Sequence, residues 1–408
     1  MIMPKPASHA FDSLAEARLS PNVAALGLVS LLTAISSAMI YGVLPVFLTR
    51  VLGISMASVG LIEGTAEAAN SLIKIVSGAA SDWIGRRKPL VIFGYTLSAI
   101  IKTLFPQAET ASTVFVARVI DRLGKGIRDA PRDAFLADLT APGIRGTGFG
   151  LRLALAIAGF VFGPLFAVAL MRWSGDDFRL VFWIALIPAY LSIIVLVLAV
   201  KEIASNHETR EHWLPIGPDD LALLPSSFWR VIVIACLLSL ARFSPAFLVL
   251  KAHGTGVDAA FVPMILGLMY LVYSTTAYPF GVLSDRFDRR IQLGLGAMVL
   301  TAADIVLAMA PTIWLAALGA ALWGLQMGAT QGVLGALIAD IAPDRLRGTA
   351  FGICDVAIGI AAFVASTVAG ALWMSGGPPL AFAVSACVAA ATMLALWLMP
   401  IPNTSSAT

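Results

Sequence analysis

Glu63, Glu67, Asn70 and Lys74 interrupt a stretch that is otherwise apolar enough to cross a bilayer. Their spacing of four, three and four places them within an arc of about 60° on one helix face. A second set follows in Arg118, Asp121, Arg122, Lys125, Arg128, Asp129 and Arg132. These occupy roughly a third of another helix's circumference. A charge at the bilayer centre costs about 2.5–3.5 kcal/mol even on a lenient insertion scale, so neither stripe can face lipid. Facing inward, the acids could bind and release a proton, because a low-dielectric surround favours the neutral form of a carboxyl group. They could equally contact a polar substrate. The plainer reading is a static ion-pair network that ties the two helices together. Glu63 and Glu67 are expected to meet Arg118 and Arg122. Asp121–Lys125 and Lys125–Asp129 are i, i+4 pairs, and Asp129–Arg132 is i, i+3, so the second stripe partly neutralises itself. Arg128, Arg132 and Asp133 lie nearer the helix end, where gating or snorkelling fits them.

The elements that position these stripes are transmembrane helices. The chain has 408 residues and is only 12% charged, about half the usual fraction for a soluble domain. Windows of about 20 apolar residues recur, at 23–49, 56–79, 89–106, 111–138, 148–170, 180–199, 226–250, 258–281, 290–310, 312–340, 348–373 and 378–400. The fold class read from this is an all-α membrane protein of twelve transmembrane helices in two six-helix bundles. The expected divisions are an N-terminal segment 1–22, a bundle 23–200, a polar linker 201–225, a bundle 226–402 and a tail 403–408. Residues 9–20 could form an amphipathic surface helix. Fourteen lysines and arginines fall on one set of connections and four on the other. This predicts cytoplasmic termini and linker in an inner membrane. The other nine basic residues lie inside spans.

The halves repeat. Gly78, Asp82, Arg86 and Arg87 recur as Gly281, Asp285, Arg289 and Arg290 at an offset of 203. Asp138 and Arg145 recur as Asp340 and Arg347 at 202. Two motifs at nearly one offset indicate a duplication and a pseudo-twofold pair of bundles. A small residue, an acid and basic residues at a helix end can pair with a neighbouring helix and act as a gate. Charges that simply stop the helix at the interface are the alternative reading. In the second half, Glu67, Asn70 and Lys74 correspond to Tyr270, Tyr273 and Ala277, and Lys125 to Met327. Trp323, Gln326, Met327 and Gln331 are expected to complete an apolar, stacking wall. Arg242, Asp304 and Asp355 are the second half's intramembrane charges, and Arg242 could pair with Asp355.

The whole chain resembles the major facilitator superfamily. Gly78, Asp82, Gly85, Arg86 and Arg87 fit its G-x-x-x-D-x-x-G-R-[RK] loop, with Trp83 where a basic residue is usual; the second copy has Asp288 in place of Gly85. Gly150, Gly159 and Gly163-Pro164 are similar to the span-five motif of its proton-coupled exporters, with Ala167 and Val168 where two glycines would follow. Arg122, Gly126 and Ala130 are similar to its arginine motif for proton coupling. GLIEGTAEA and RLGKGIRDAPRDAFLAD resemble a broad bacterial subgroup. The resemblance implies a secondary transporter that works as a monomer on a small molecule and protons by alternating access, with efflux favoured. Span one has Ser30, Thr33, Ser36, Ser37 and Tyr41 but no acid, which moves the expected proton site to span two.

The proton-coupling candidates are therefore Glu63, Glu67, Arg118, Asp121, Arg122 and Lys125. The substrate candidates are Asn70, Lys74, Arg242, Tyr270, Tyr273, Trp323, Gln326, Met327 and Asp355. The cargo stays open among neutral small molecules, organic anions, siderophore-like chelates and metal ions. Met264, Met269, Met327 and Cys354 are soft ligands without a defensible metal spacing. No cofactor, nucleic-acid partner or catalytic group is implied. The GxxxxGK[ST] loop is absent, the four histidines lie in polar or loop segments, and a sensor or enzyme on the same scaffold is the remote alternative.

Overall fold

Local chemistry starts and stops the helices. Ser20 accepts from the Val23 amide and Pro21 takes the first helical position, which begins α1, Pro21–Val46. A π turn, Phe47–Val51, prolongs it. Then come α2, Met56–Ile84, α3, Lys88–Lys102, α4, Ala111–Leu139, α5, Arg145–Ser174, and α6, Phe178–Ala199. Thr110 caps α4 and Asp177 caps α6. The second half holds α7, Ser226–Leu240, α8, Ala246–His253, α9, Met264–Arg286, α10, Arg289–Met309, α11, Ile313–Ile341, and α12, Arg347–Leu398. Asp288, the departure from the repeated loop motif, caps α10 by accepting from the Arg290 amide at 2.8 Å.

This computed structural model describes residues 20–84, 86–140, 145–201, 223–286, 288–343 and 346–399, without the side chains of Asp82, Arg145, Ser284, Asp285, Arg286, Ala339 and Arg347. The surface helix expected over 9–20, most of the linker and the tail lie outside the described residues.

All twelve expected spans are present, but one is built differently from expectation. Span seven is α7 plus α8, broken over residues 241–245. In an unbroken helix the Ala241 carbonyl would accept from the amide of residue 245, which is proline and has none. Spans eleven and twelve, together labelled α12, are two helices that meet at a kink at Gly377 (φ 73°, ψ −176°), between the expected bounds. That backbone strongly favours glycine. On apolarity and length alone, seven helices among the described residues qualify as spans. The stripes of α2 and α4 disqualify those two, which shows how much polarity the fold has absorbed. Large apolar side chains such as Ile187, Leu198, Met309 and Trp314 are exposed on the outside, as a lipid-facing surface requires. The chain is a multi-pass membrane protein.

Asn22 accepts from the Lys201 amide at 3.0 Å, and Arg290 donates to the Leu396 and Trp397 carbonyls. The first contact joins the two ends of the first half, and Leu224, Phe228 and Leu396 in one cluster join those of the second; this is the terminal end. The opposite end is the distal end. Within the first half α1 packs on α5 and α2 on α4; across the halves α2 packs on α12 and α5 on α9. At the distal end one apolar core joins both halves, from Met39, Phe47, Phe105 and Phe182 to Phe243, Phe247, Trp323 and Phe382. Towards the terminal end the cores separate, one around Leu26, Tyr95 and Phe135 and another around Phe228, Val333 and Leu337. The halves are sealed distally.

Glycines set the tightest approaches. A methyl group added at Gly159 would lie 2.6 Å from Ala34 Cβ, and one at Gly163 would lie 2.6 Å from Ala38 Cβ, so the span-five glycines let α5 lie against α1. Gly60 and Gly370 do the same for α2 and α12 at the distal end. Gly78 of the loop motif sets no such approach: a methyl there would meet Ala130 Cβ at an ordinary 3.5 Å. Gly163→Val should lower unfolding stability in detergent by about 1–3 kcal/mol through overpacking. Gly150→Ala, with nothing within 4 Å, should raise it by up to about 1 kcal/mol through helix propensity. Paired thermal and denaturant unfolding of the two variants checks the contrast; equal effects would contradict this packing.

Candidate functional site

The first-half stripe centres on Glu63. Arg118 of α4 donates from Nε and Nη2 to Glu63 Oε1 and Oε2 at 2.8 and 2.7 Å, a forked pair. Both side chains are buried, 3% exposed for Arg118 and 8% for Glu63. Ser244, in the break between α7 and α8, donates from Oγ to Glu63 Oε2 at 3.0 Å, and its amide donates to Ser366 Oγ of α12 at 3.1 Å. One carboxylate thus joins α2 and α4 to the opposite half.

Tyr41 of α1 organises the next layer. The guanidinium of Arg118 sits 3.8 Å from its ring centre and that of Arg122 at 5.1 Å. The Tyr41 hydroxyl donates to Asp121 Oδ2, and Ser98 of α3 donates to Asp121 Oδ1. Lys102, also on α3 and 1% exposed, donates to Ser36 and Ser37 of α1 at 3.1 and 2.9 Å. The expected Asp121–Lys125 and Lys125–Asp129 pairs do not form among the described residues. Asp121 turns away from its own helix towards α1 and α3, where two hydroxyls hold it. Asp129 takes Arg132 instead, at 2.9 Å, and Arg132 also reaches Asp133 at 3.0 Å.

Glu67 is the more accessible acid, 39% exposed, with Arg122 Nη1 at 3.6 Å. Asn70 donates to its Oε1 at 3.3 Å. A cleft of about 220 Å³ lies alongside, lined by Tyr41, Asp121, Arg122, Lys125, Arg128 and Arg152 among others. Arg122 Nε and Arg128 Nη1 on this cleft's lining residues, and Arg118 Nη1 in the stripe, are buried without a hydrogen-bond partner among the described residues.

The second half contributes a separate cleft of about 240 Å³, lined by Arg242, Gln326, Thr330, Gln331, Cys354 and Asp355 among others. The suggested Arg242–Asp355 pair is replaced. Asp355 pairs with Lys74 of α2 at 2.6 Å, across the halves, and Arg242 approaches Gln326 Oε1 at 3.5 Å. Lys74 has the nearer acid because α2 lies directly on α12. Tyr270 stacks on Phe160 of the first half, ring centres 4.6 Å apart, and Tyr273 donates to Gln331 at 2.9 Å. Trp323 is not on the cleft wall. It is fully buried in the distal core and donates to Asp304 at 2.8 Å. Met327 packs against that same core. The expected wall is therefore Gln326 and Gln331 without Trp323.

At the terminal end Arg87 pairs with Asp138 at 3.0 Å, and Arg289 pairs with Asp340. Each pair lies inside one half, and the two acids correspond across the repeat, but the arginines do not: Arg289 is the counterpart of Arg86, which is exposed, and Arg87 that of Arg290. Asp82, Arg145, Asp285 and Arg347, the other gating candidates, have side chains outside the described residues. Sequence reasoning missed Lys102, Arg152, Ser244 and Ser366. A lone lysine near the end of an apolar span was the available signal for Lys102; serines spread through apolar helices offered none.

Breaking the forked pair should be costly. Arg118→Met leaves Glu63 buried and uncompensated and should cost about 3–5 kcal/mol. Adding Glu63→Gln should restore most of that loss. Denaturant unfolding of the wild type, both single variants and the double variant measures the coupling, and simple additivity would contradict a buried pair.

The geometry fits what comparison with known proteins finds. The Major Facilitator Superfamily model matches residues 26–250 and 231–408. The uncharacterized MFS-type transporter MJ1317 of Methanocaldococcus jannaschii is 31% identical over 361 residues, covering 87% of this chain and 89% of that protein. Multidrug resistance protein 1 of Bacillus subtilis is 26% identical over 218 residues, 53% of this chain and 54% of that one. The crystal structure of the nucleoside transporter NupG superposes with a TM-score of 0.76 at 14% identity, covering 92% of this chain and 98% of that chain. The human organic anion transporter MFSD10 superposes at 0.68 and 18% identity, covering 92% and 99%. Two six-helix bundles with buried charges between them, and a family match along nearly the whole length, lead to one conclusion: the chain belongs to the Major Facilitator Superfamily and is a transporter.

Proposed function

We propose that this transporter is proton-coupled and exports a small molecule by exposing a site between its halves to each side in turn. The observation that carries the reading is Glu63, held by Arg118 of its own half and by Ser244 of the other at the edge of the distal seal. A proton on this carboxyl group would remove the charge that holds Arg118 and would weaken the link across the halves. Glu67 and Arg122 form a second such pair beside the cleft, more accessible and longer. In the conformation seen, both acids are paired with arginine, as after proton release. Protonation from the distal side, rocking, and release at the terminal side would complete a cycle. The cationic loops support a cytoplasmic terminal end in an inner membrane. The span-five motif supports export, as do the multidrug-resistance names of some relatives.

The gating residues fit the same cycle. Arg87–Asp138 and Arg289–Asp340 each close on their own half while the distal end is sealed. The loops around Gly78, Asp82, Arg86, Arg145, Gly281, Asp285 and Arg347 would then exchange these partners across the halves when the terminal end closes. Lys74–Asp355 already spans that seam.

A second reading concerns the cargo. Unpartnered guanidinium donors on Arg118, Arg122 and Arg128, together with Lys125 on the cleft wall, favour an anionic substrate.

The test uses purified protein in liposomes, with cargo first identified by thermal-shift screening. A pH gradient should drive cargo movement in wild type. Glu67→Gln should still bind cargo but no longer respond to the gradient, and Glu63→Gln should slow exchange. Undiminished gradient-driven transport in both variants would overturn the assignment of coupling to these acids.

A further inference from the structure

The second half contains a carboxyl group that the stripe chemistry does not use. Asp304 of α10 is fully buried. Its Oδ1 accepts from the Trp323 indole N–H at 2.8 Å, and its Oδ2 lies 2.6 Å from Ser385 Oγ on α12. The same Ser385 oxygen is hydrogen-bonded to the Ala241 carbonyl. That carbonyl is the one deprived of a helical partner by Pro245. No cation lies within ion-pair distance of Asp304 among the described residues.

The protons can be counted. Ala241 O, Ser385 Oγ and Asp304 Oδ2 make two short oxygen–oxygen contacts, and each needs a proton between its atoms. The serine hydroxyl supplies one. A backbone carbonyl supplies none. If Ser385 donates to Ala241, the second proton belongs to Asp304, which then donates to Ser385. If Ser385 donates to Asp304, two bare lone pairs face each other at Ala241. Only the first arrangement is attractive, and it leaves no charge in a site without a counter-ion.

The surrounding elements supply no alternative. Arg242 adjoins Ala241 but reaches Gln326. Asp355 of α12 is taken by Lys74, and Asp340 of α11 by Arg289. Lys251 of α8 makes no ion pair among the described residues. Arg230 lies at the terminal end of α7, Arg289 and Arg290 at the terminal end of α10. Cys387 is exposed, and Trp323 and Ser385 are the groups that face the carboxyl.

We propose that Asp304 is a proton-binding site, occupied in this conformation, whose neutral acid group holds the span-seven break in place through Ser385. The chain of donors runs from Trp323 to Asp304, to Ser385, to Ala241. Three residues further along the same break, Ser244 reaches Glu63. The break is thus held on one side by a neutral acid and on the other by a paired carboxylate. Storage of the proton needs nothing from the transport reading. Its release when the distal end opens rests on that reading.

Infrared spectroscopy of the purified full chain at neutral pH tests the storage directly, without cargo or gradient. Wild type should show the carbonyl stretch of a protonated, hydrogen-bonded carboxyl group, absent in Asp304→Asn and retained in Glu63→Gln and Glu67→Gln. Asp304→Asn should unfold at nearly the wild-type temperature, since an amide accepts from Trp323 and donates to Ser385 as the neutral acid does. Ser385→Ala removes the acceptor and should shift the band upward without abolishing it, which keeps the test open if the asparagine variant folds poorly. Loss of an ionised-carboxylate band in Asp304→Asn would overturn the proposal, as would an unshifted spectrum in Ser385→Ala. Because no readout depends on transport, failure here and failure of Glu67→Gln to uncouple are separate results.

Discussion

Nine lysines and arginines lie inside the spans, and hydrocarbon offers none of them a partner. The interior of this protein is arranged to meet that constraint. Carboxylates answer Arg118, Arg122, Arg132 and Lys74. Tyrosine rings answer Arg118 again and Arg128, serine hydroxyls answer Lys102, and a glutamine approaches Arg242. The partners are uneven: Arg118, Arg132 and Lys74 are held closely, whereas Arg122 stands 3.6 Å from Glu67 and Arg242 3.5 Å from Gln326. Tight pairs interleaved with looser ones leave contacts that can be redistributed, whereas uniformly strong pairs would lock.

The two bundles share an ancestor in sequence but divide the work. The first half concentrates charge on α2 and α4. The second half supplies an aromatic core, Phe243 against Phe247, Trp323 and Phe382, and a helix broken by proline. The break turns backbone groups and Ser244 into ligands at mid-chain, where an intact helix would consume its own hydrogen bonds. One half provides most of the buried charges, and the other meets them with Ser244, Gln326 and Asp355.

The helical architecture, the six-plus-six division and the meeting of Glu63 with Arg118 follow from spacing. Period and hydrocarbon thickness leave little freedom, and stripes that cannot face lipid must face each other. Partners distant in the chain were hidden. Ser244 lies 181 residues from Glu63, and nothing local distinguishes it from the other serines in apolar helices. Lys74 found Asp355 rather than leaving it to Arg242 because helix packing, invisible in one sequence, brings α2 onto α12. Asp121 and Lys125 fail to pair because a tyrosine and a serine on neighbouring helices compete for the acid. Trp323 has cleft-like chemistry but a core position, since its indole N–H is consumed by Asp304.

The distal seal has a consequence for temperature. It is built of apolar side chains from both halves in one continuous core, so its strength is chiefly entropic near room temperature and carries a large heat-capacity change when it is exposed. The terminal end is instead studded with arginine–carboxylate pairs, whose attraction is screened by salt and carries no comparable heat capacity. The two ends of one molecule therefore answer to different variables. Warming from the cold strengthens the distal seal between the halves, and added salt weakens the terminal pairs within each half.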